Sequence, residues 1–584
     1  MSNQHAYTKG KHFSWIFAAT FLLFTTSCNK DFLEKPDSSD VTIDTIFSAK
    51  IKAETFLWET YGSSITGGFP KDWGRWEGIK DASMVMAASD EGDVYDEWPG
   101  SNTFNRGVWG PQSNLEDGFG FHYKGIRNAN IFLSNVDRVT DMTDTERANM
   151  KAEALFLRAY KHFELLKRYG GIPIVDHVLQ SDGVVKIPRN TYEECVEFIV
   201  QSCDEAIPSL PDRYPSAFMG RATKGAALAL KSRVLLYAAS PLANSVNPYN
   251  TTDRAYTGYT NYSQERWTRA ADAAKAVLDW AAGVGGIQLI QNLKDPGDAY
   301  ETAVTLADNQ ETIFADKSES WYGDWWPLTF QFVMPRGIYN GWYGHGVTLQ
   351  HTEKYYKADG TDQVWPNEGT YSEFQTKMQE LEPRFQRSVF YSSSKWNDQY
   401  GVRHFYRKKD GSWTEQAPVN GVGYMKKFLA RFNWGGGRLN WPIYRLAEFY
   451  LNYAEALNEA NALNPASVSA LNTIRKRAGI PEISISDARY SSQDLLRAAI
   501  RRERAIELAF EEHRYWDVRR WVIAGEEGVM KGAMYGLNLY EQGDGSILYK
   551  KEVFESRVWE NQMYYYPIPQ GEINKAYITQ TPGW

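Results

Sequence analysis

The feature that most constrains this chain is a long amphipathic helix predicted within residues 143–173. Thr143 and Glu146 have the spacing of a capping box, in which each side chain accepts a backbone N–H bond at the start of a helix. Apolar residues then recur at steps of three and four until Gly170, Gly171 and Pro173 end the pattern. A helix of about 26 residues is roughly 40 Å long and needs other helices to pack against. The chain is therefore predicted to be mainly helical.

Helical patterning recurs on both sides of this segment and weakens in between. It is predicted at residues 45–61, 115–139, 192–207, 221–240, 263–282, 441–462, 465–478 and 493–522. Residues 283–440 contain frequent Gly and Trp, short β-type runs such as 312–314, and an Asp410-Gly411 turn. The predicted fold class is mostly α, with an irregular, loop-rich and partly β subdomain.

The N-terminus has the pattern of a lipoprotein signal peptide. Lys9 and Lys11 precede an apolar run over residues 13–24, which is too short to span a bilayer. Thr25-Thr26-Ser27-Cys28 resembles a lipobox, although Thr25 stands where such boxes usually carry Leu. Cleavage there would make Cys28 the lipid-carrying N-terminus, anchored to one leaflet. The alternative is a buried helix with an incidental cysteine.

Charge and cysteine content exclude several classes of protein. The net charge is -8 and basic residues are mixed with acidic ones, so nucleic acid is not an expected partner. Cys195 and Cys203 lie eight residues apart in one predicted helix, about 12 Å, which is too far for a disulfide bond. Both are predicted to be core residues.

Sequence motifs for catalysis or cofactor binding are missing. The chain has no G-x-S-x-G, H-E-x-x-H, P-loop or C-x-x-C motif, and no cofactor or metal is predicted. His513 is interpreted as a structural hydrogen-bonding residue. A carboxylate pair for glycoside hydrolysis stays possible, because 72 acidic residues supply many accidental pairs. Arginines on helices are predicted to pair with carboxylates, namely Arg158, Arg233 and Arg502 with partners such as Glu153, Glu448 or Glu507.

The composition is rich in aromatic residues, with 21 Trp and 36 Tyr. A flat indole can cover the C–H face of a sugar while nearby polar groups bond its hydroxyls. Trp280, Trp516 and Trp521 lie on predicted helices and are expected in the core. The candidate glycan-binding residues lie in Gly- and Asp-rich segments, where packing is the alternative role: Trp73, Trp76, Trp98, Asn102, Trp321, Trp325 and Trp326.

Several segments also resemble one protein family in the expected order. K-A-E-A-L-F-L-R-A-Y-x-x-F-E-L-L-x-R-Y-G-G-I-P, at residues 151–173, resembles the signature helix of the SusD/RagB family of nutrient-binding outer-membrane lipoproteins. Further similar segments lie at 221–241, 444–459, 471–480, 503–521 and 564–575. The resemblance thus extends over nearly all of the chain after the signal peptide.

This resemblance implies a SusD-like helical scaffold with tetratricopeptide-like repeats, although no strict repeat consensus is present. It implies a surface-exposed lipoprotein of the cell outer membrane that binds oligosaccharide without catalysis. Its partner would be a SusC-like TonB-dependent β-barrel transporter, over which it acts as a hinged lid. A surface glycoside hydrolase and a peptide-capturing lipoprotein are the alternatives. The predicted regions are a signal peptide (1–27), a lipidated linker (28–44), an N-terminal helical region (45–282), an irregular subdomain (283–440) and a C-terminal helical region (441–584).

Overall fold

Helices form most of the regular structure. The computed structural model describes residues 42–584, except 70–82, 115–117, 181–185, 292–293, 318–331, 336–340, 343, 416–418 and 432–438. In chain order its α-helices are α1 Ile43–Ile46, α2 Lys50–Gly62, α3 Gly100–Asn105, α4 Phe119–Asn135, α5 Asp144–Tyr169, α6 Tyr192–Ala206, α7 Lys224–Ala239, α8 Arg254–Thr257, α9 Glu265–Trp280, α10 Pro296–Thr305, α11 Leu349–Thr352, α12 Tyr371–Glu380, α13 Pro383–Ser388, α14 Leu446–Ala460, α15 Pro465–Arg477, α16 Gln493–Glu507, α17 His513–Arg520 and α18 Gln570–Ile573. Within these described residues, none of the helices combines the length and apolar character needed to cross a membrane.

The long helix α5 confirms the first prediction. The Thr143 hydroxyl accepts a bond from the Glu146 amide at 3.3 Å, and the Glu146 carboxylate accepts one from the Thr143 amide at 3.0 Å. At the other end Gly170 has a φ of 72°, a left-handed conformation that favours glycine. Most of α5 is buried because α4 and α6 pack along it.

The helices α5, α6, α7, α9 and α14 form an array in which each contacts the next. α6 packs on α5, α7 on α6, α9 on α7, and α14 lies between α9 and the pair α15 and α16. Small residues allow the close approach: a Cβ added at Gly225 of α7 would lie only 2.1 Å from Cη2 of Trp280 on α9. This array is the helical scaffold that the resemblance implied, and the mostly helical fold class is confirmed.

Among the described residues, the β-structure forms three small sheets. The strands are β1 Gly92–Val94, β2 Thr312–Asp316, β3 His345–Val347, β4 Glu368–Thr370, β5 Val389–Phe390, β6 Gly423–Met425, β7 Trp441–Arg445, β8 Gly532–Glu541 and β9 Ile547–Arg557. The first sheet has the order β1-β3-β6-β5, the second pairs β2 with β7, and the third has the order β4-β9-β8. All pairs are antiparallel. The predicted β-run at 312–314 and the Asp410-Gly411 turn are both present.

Two predictions of secondary structure in the C-terminal region are wrong, and one hairpin there was not predicted. Residues 441–445 form strand β7 rather than the start of a helix, because they pair with β2. The helix predicted at 493–522 is two helices, separated by a turn in which Phe510 and Glu512 adopt left-handed backbone angles. The long hairpin of β8 and β9 was not predicted at all, since its residues alternate too weakly between apolar and polar.

Buried ion pairs connect the helices, with partners that partly differ from the prediction. Arg233 pairs with Glu448 at 2.6 Å, as expected. Arg158 instead donates to the Asn130 side chain at 3.2 Å and to a backbone carbonyl, so a carboxylate partner was wrong for it. Arg502 pairs with the exposed Asp362 at 2.7 Å rather than with a buried acid.

The predicted core residues are buried. Trp280, Trp516 and Trp521 are at most 8% exposed, and Cys195 and Cys203 are buried free thiols. Burial raises the pKa of the Cys195 thiol to about 12, which makes it unreactive. Nδ1 of His513 lies 3.3 Å from Nη2 of Arg504, consistent with the structural role predicted for that histidine.

Candidate functional site

The first sheet brings together the two tryptophan-rich parts of the sequence. Strand β1 pairs with β3 so that Val94 lies opposite His345. Trp98 follows the end of β1 by four residues, and Trp342 precedes the start of β3 by three. Because the two strands are antiparallel, the end of β1 lies beside the start of β3, about 4.8 Å away. The segments that carry the two tryptophans therefore join the sheet at the same end.

The chain before each of these two segments is also in contact, through residues 67–69 and Asp316. The Gly67 amide donates to Oδ2 of Asp316 at 2.5 Å. Phe69 is completely buried and packs edge-on against Trp441, with ring centroids 5.0 Å apart. Gly68 must be small here, since an added Cβ would lie 2.2 Å from Cζ2 of the same tryptophan. The described residues that flank 70–82 and 318–331 on their N-terminal sides are therefore adjacent.

Trp98 lies on a short loop that helix α3 holds in place. The Asn102 side-chain amide donates to the Asp96 backbone carbonyl at 2.7 Å, which closes the loop over the first turn of α3. Asn102 is only 7% exposed, whereas Trp98 is 47% exposed. A large half-exposed indole on a fixed loop is the kind of surface on which a ligand ring can stack.

Below this loop lies a buried polar network. Asp93 accepts a bond from the Asn420 amide at 2.7 Å, and Arg557 donates to Glu555 at 2.7 Å and to the Gly92 carbonyl at 2.9 Å. Burial and the nearby charge of Glu555 raise the pKa of the Asp93 carboxyl to about 7. The network connects β1 to β9 and makes the base of the Trp98 loop rigid.

The structure describes two of the predicted glycan-binding residues. Trp98 is exposed at the sheet edge, and Asn102 is buried behind it with its amide engaged by Asp96. Trp73, Trp76, Trp321, Trp325 and Trp326 lie outside the described residues, as does the predicted lipidation site Cys28. Their roles stay predictions.

The sequence interpretation missed the groups that join the two segments. Gly67, Phe69 and Asp316 gave no motif, because each acts through a contact with a residue more than 240 positions away in the chain. The Gly67-Gly68 pair before an aromatic residue was the one local signal of a close backbone approach. Trp109, which the sequence placed in the same loop region, is buried against Trp584 with ring centroids 4.9 Å apart. Within the described part of the chain, no group of three or more His, Cys, Asp or Glu is placed to hold a metal ion.

Comparison with known proteins gives a consistent result. The model of the SusD family matches residues 308–584, and a second family model, described as starch-binding and associating with the outer membrane, matches residues 79–236. SusD-like protein P2 of Formosa agariphila is 25% identical over 86% of this chain and 90% of its own.

Solved structures share the fold over almost the whole chain. A SusD-like protein of Bacteroides fragilis aligns with a TM-score of 0.75 and 26% identity, covering 93% of this chain and 99% of the other. A SusD-like carbohydrate-binding protein of the same species aligns with a TM-score of 0.70 and 21% identity, covering 91% and 99% of the two chains. With two family models matched in order and the same architecture throughout, this chain belongs to the SusD family.

Proposed function

We propose that the protein binds glycan at the cell surface through tryptophans of two segments, 62–109 and 321–342, and delivers it to a TonB-dependent transporter of the outer membrane. The observation that carries this proposal is the pairing of β1 with β3, which joins the two segments at one sheet edge. Family membership supports the carbohydrate class of ligand, as do the names of structural neighbours such as the carbohydrate-binding protein of Bacteroides fragilis.

The chemistry of the surface fits a sugar. An exposed indole offers an apolar face to sugar C–H groups, and the hydroxyls around the ring need polar partners. Trp98 supplies the apolar face, and its loop is held by the Asn102 amide and the network below it. A preformed surface of this kind binds without first having to be ordered.

Removing the indole at the proposed surface should weaken glycan binding without unfolding the protein. We expect Trp98→Ala, and at least one of Trp73→Ala, Trp321→Ala and Trp325→Ala, to lower affinity about ten- to a hundredfold. Loss of one well-covered indole face corresponds to about 1–3 kcal/mol of apolar burial. Calorimetric titration with a polysaccharide that the wild type binds measures the affinity, and scanning calorimetry measures the thermal midpoint.

Trp280→Ala is the matched control, because Trp280 is 8% exposed and packs against α7. It should lower the thermal midpoint, since truncating a core tryptophan costs about 3–5 kcal/mol, while the folded protein keeps its affinity. If all four surface variants bind normally, or lose binding only by unfolding, the assignment of this surface is wrong.

Incubation with glycan and with peptide distinguishes the two alternative functions from the proposed one. A glycoside hydrolase would release shorter products during incubation with the glycan, and a peptide-capturing protein would bind peptide in preference to saccharide. Asp93 and Glu555, the two carboxylates of the network below Trp98, do not favour hydrolysis, because Asp93 is 2% exposed and bonded to Asn420. Uncleaved glycan recovered from a saturable complex supports the proposed function.

A transporter partner should accompany the protein out of the membrane. Extraction of native membranes in mild detergent, followed by affinity purification, is expected to recover a β-barrel transporter in a constant ratio. The physical reason is that a lipid-anchored binding protein cannot by itself move a polar glycan through the hydrocarbon layer. Recovery of the protein only as a free monomer, under conditions that keep other membrane complexes intact, would contradict this partnership.

A further inference from the structure

A polar cavity, separate from the Trp98 loop, lies between α10, α13 and the segment 391–402. Its volume is about 930 Å³, and its walls are polar, formed by side chains such as Gln386, Asn397 and Gln399. The two aromatic residues in its wall, Tyr391 and Trp396, are buried by at least 96%. The cavity therefore offers hydrogen bonds and charge rather than a stacking surface.

The cavity contains a buried ammonium group with an incomplete set of partners. Lys426 is 5% exposed, and its Nζ donates to the Lys395 carbonyl at 3.1 Å. Among the residues that the structure describes, this carbonyl is the one acceptor in bonding range, and no carboxylate lies within 4 Å. An ammonium group has three N–H donors, so two of them are available to a molecule in the cavity.

The next residue shows what a structural lysine in this environment looks like. Nζ of Lys427 donates to the carbonyls of Glu507 and Ala509 at 3.2 and 2.9 Å and to the Glu511 carboxylate at 2.6 Å. All three donors of Lys427 are satisfied inside the protein. Burying a charge without such partners is costly, and Lys426 is in that position. Desolvation accordingly lowers the pKa of the Lys426 ammonium to about 8, so the group still carries its charge at neutral pH.

The other charged side chains of the cavity wall, four carboxylates and three cations, pair with one another. Asp295 and Asp298 each bond Arg387 at 2.7 Å, and Glu301 bonds Arg431 at 2.7 Å. The remaining pair of the cavity wall is Lys395 with Asp398. Lys426 is thus the one cation of this wall, among the described residues, without a carboxylate of its own.

We infer that this cavity binds an acidic sugar residue, with the carboxylate or sulfate ester of the sugar accepting bonds from the Lys426 ammonium. A carboxylate or sulfate would supply the short-range acceptors that the Lys426 ammonium lacks, and the polar wall supplies partners for the ring hydroxyls. The inference rests on the proposed glycan-binding function and narrows it to anionic glycans.

The position of Lys426 supports a continuous binding surface. It directly follows β6, and its amide donates to the Ser388 carbonyl at 2.8 Å. The register of the first sheet places the end of β6 beside the start of β3 and the end of β1. Lys426 and Trp98 therefore follow strands that finish at the same end of the sheet, and those two strand ends are separated by two strand spacings, about 10 Å. A glycan of a few residues spans this distance.

The test uses purified protein and a panel of acidic polysaccharides with their uncharged counterparts. Homogalacturonan with its methyl ester, alginate and glucuronoxylan provide carboxylates, and a sulfated galactan with its desulfated form provides sulfate esters. We expect binding to at least one acidic member, at least tenfold stronger than to its uncharged counterpart. Lys426→Met should weaken that binding about 10- to 100-fold, as expected for loss of a charge-assisted hydrogen bond. Whether the carboxylated or the sulfated polysaccharides bind identifies the acidic group.

Stability measurements separate a binding role of Lys426 from a structural one. Lys426→Met should keep or raise the thermal midpoint, because it removes an incompletely paired buried charge. Lys427→Met should lower the midpoint while the folded protein keeps its affinity. The inference is overturned if no acidic glycan binds, if charged and uncharged forms bind equally, or if Lys426→Met binds like the wild type. Tight binding of a neutral glycan that depends on Trp98 but not on Lys426 would overturn this inference alone and leave the proposed function intact.

Discussion

Replacing Glu507 by alanine should lower the free energy of unfolding by about 3–5 kcal/mol. Glu507 is fully buried at the end of α16 and accepts bonds from three arginines. Its Oε1 bonds Arg445 at 2.8 Å and also Arg477, and its Oε2 bonds Arg384 at 3.2 Å. Removing the carboxylate leaves several buried guanidinium groups with too little negative charge beside them. Chemical denaturation at neutral pH measures the loss.

The pH dependence of this difference provides a second check. Burial by itself would raise the pKa of the Glu507 carboxyl, but Arg477, Arg445 and Arg384 lower it below its usual value of 4.5. A lowered pKa in the folded state means that the carboxylate stabilises the protein above about pH 4.5 and that this contribution is lost as the pH falls through the folded value. The difference in the free energy of unfolding between the wild type and Glu507→Ala should therefore become smaller on acidification.

Asp279→Ala is the matched control for a carboxylate at the surface. Asp279 pairs with Lys275 at 2.6 Å, and its side chain is 64% exposed. Exposed pairs of this kind contribute about 0–1 kcal/mol, so the control should unfold almost like the wild type. Equal and small effects of the two substitutions would show that the buried network around Glu507 does not stabilise the fold.

Replacing Cys28 by alanine should move the protein from the membrane fraction to the soluble fraction. The lipobox-like sequence before Cys28 motivates this expectation, because lipid attached to the cysteine sulfur would be the anchor. Each buried CH₂ of an acyl chain contributes about 0.8 kcal/mol, so two chains hold the protein far more strongly than surface contacts do. Fractionation of cells and metabolic labelling with palmitate measure the result.

Cys195→Ala serves as the control for this substitution. Cys195 is a buried thiol of α6 and is 1% exposed, so its loss should leave both fractionation and labelling unchanged. A Cys28→Ala protein that still labels with palmitate and stays with the outer membrane would show that the anchor lies elsewhere.

Sequence patterns succeeded where the structure depends on neighbours along the chain. The capping box of Thr143 and Glu146, the glycine cap at Gly170 and the core positions of Trp280 and Trp516 all follow from local rules. Periodicity failed at Trp441–Arg445, which were predicted as the start of a helix but pair with β2 instead. It also joined α16 to α17, because the residues of the turn between them are themselves apolar and acidic enough to continue the pattern.

The candidate site could also be predicted only in part from local sequence patterns. Trp98 was predicted as a binding residue because it lies among Gly and Asp outside any helical pattern; the structure shows its indole half exposed, and its binding role stays a prediction. Asn102 was also predicted as a ligand contact; its amide donates to the Asp96 carbonyl, which no local pattern indicated, and its binding role stays a prediction. Lys426 and Lys427 are indistinguishable in the sequence, although in the structure the ammonium of Lys427 has three acceptors and that of Lys426 has one among the described residues.

The sequence by itself determined that the chain is mainly helical, where the long helix α5 begins and ends, and which family it resembles. These properties depend on side chains within one or two helical turns of each other, or on motifs read directly from the chain. Only the tertiary structure decided that β1 lies beside β3, that Gly67 contacts Asp316, and which arginines surround Glu507. Such contacts join residues from 30 to about 250 positions apart, and their partners are chosen by packing and charge balance in three dimensions rather than by any local pattern.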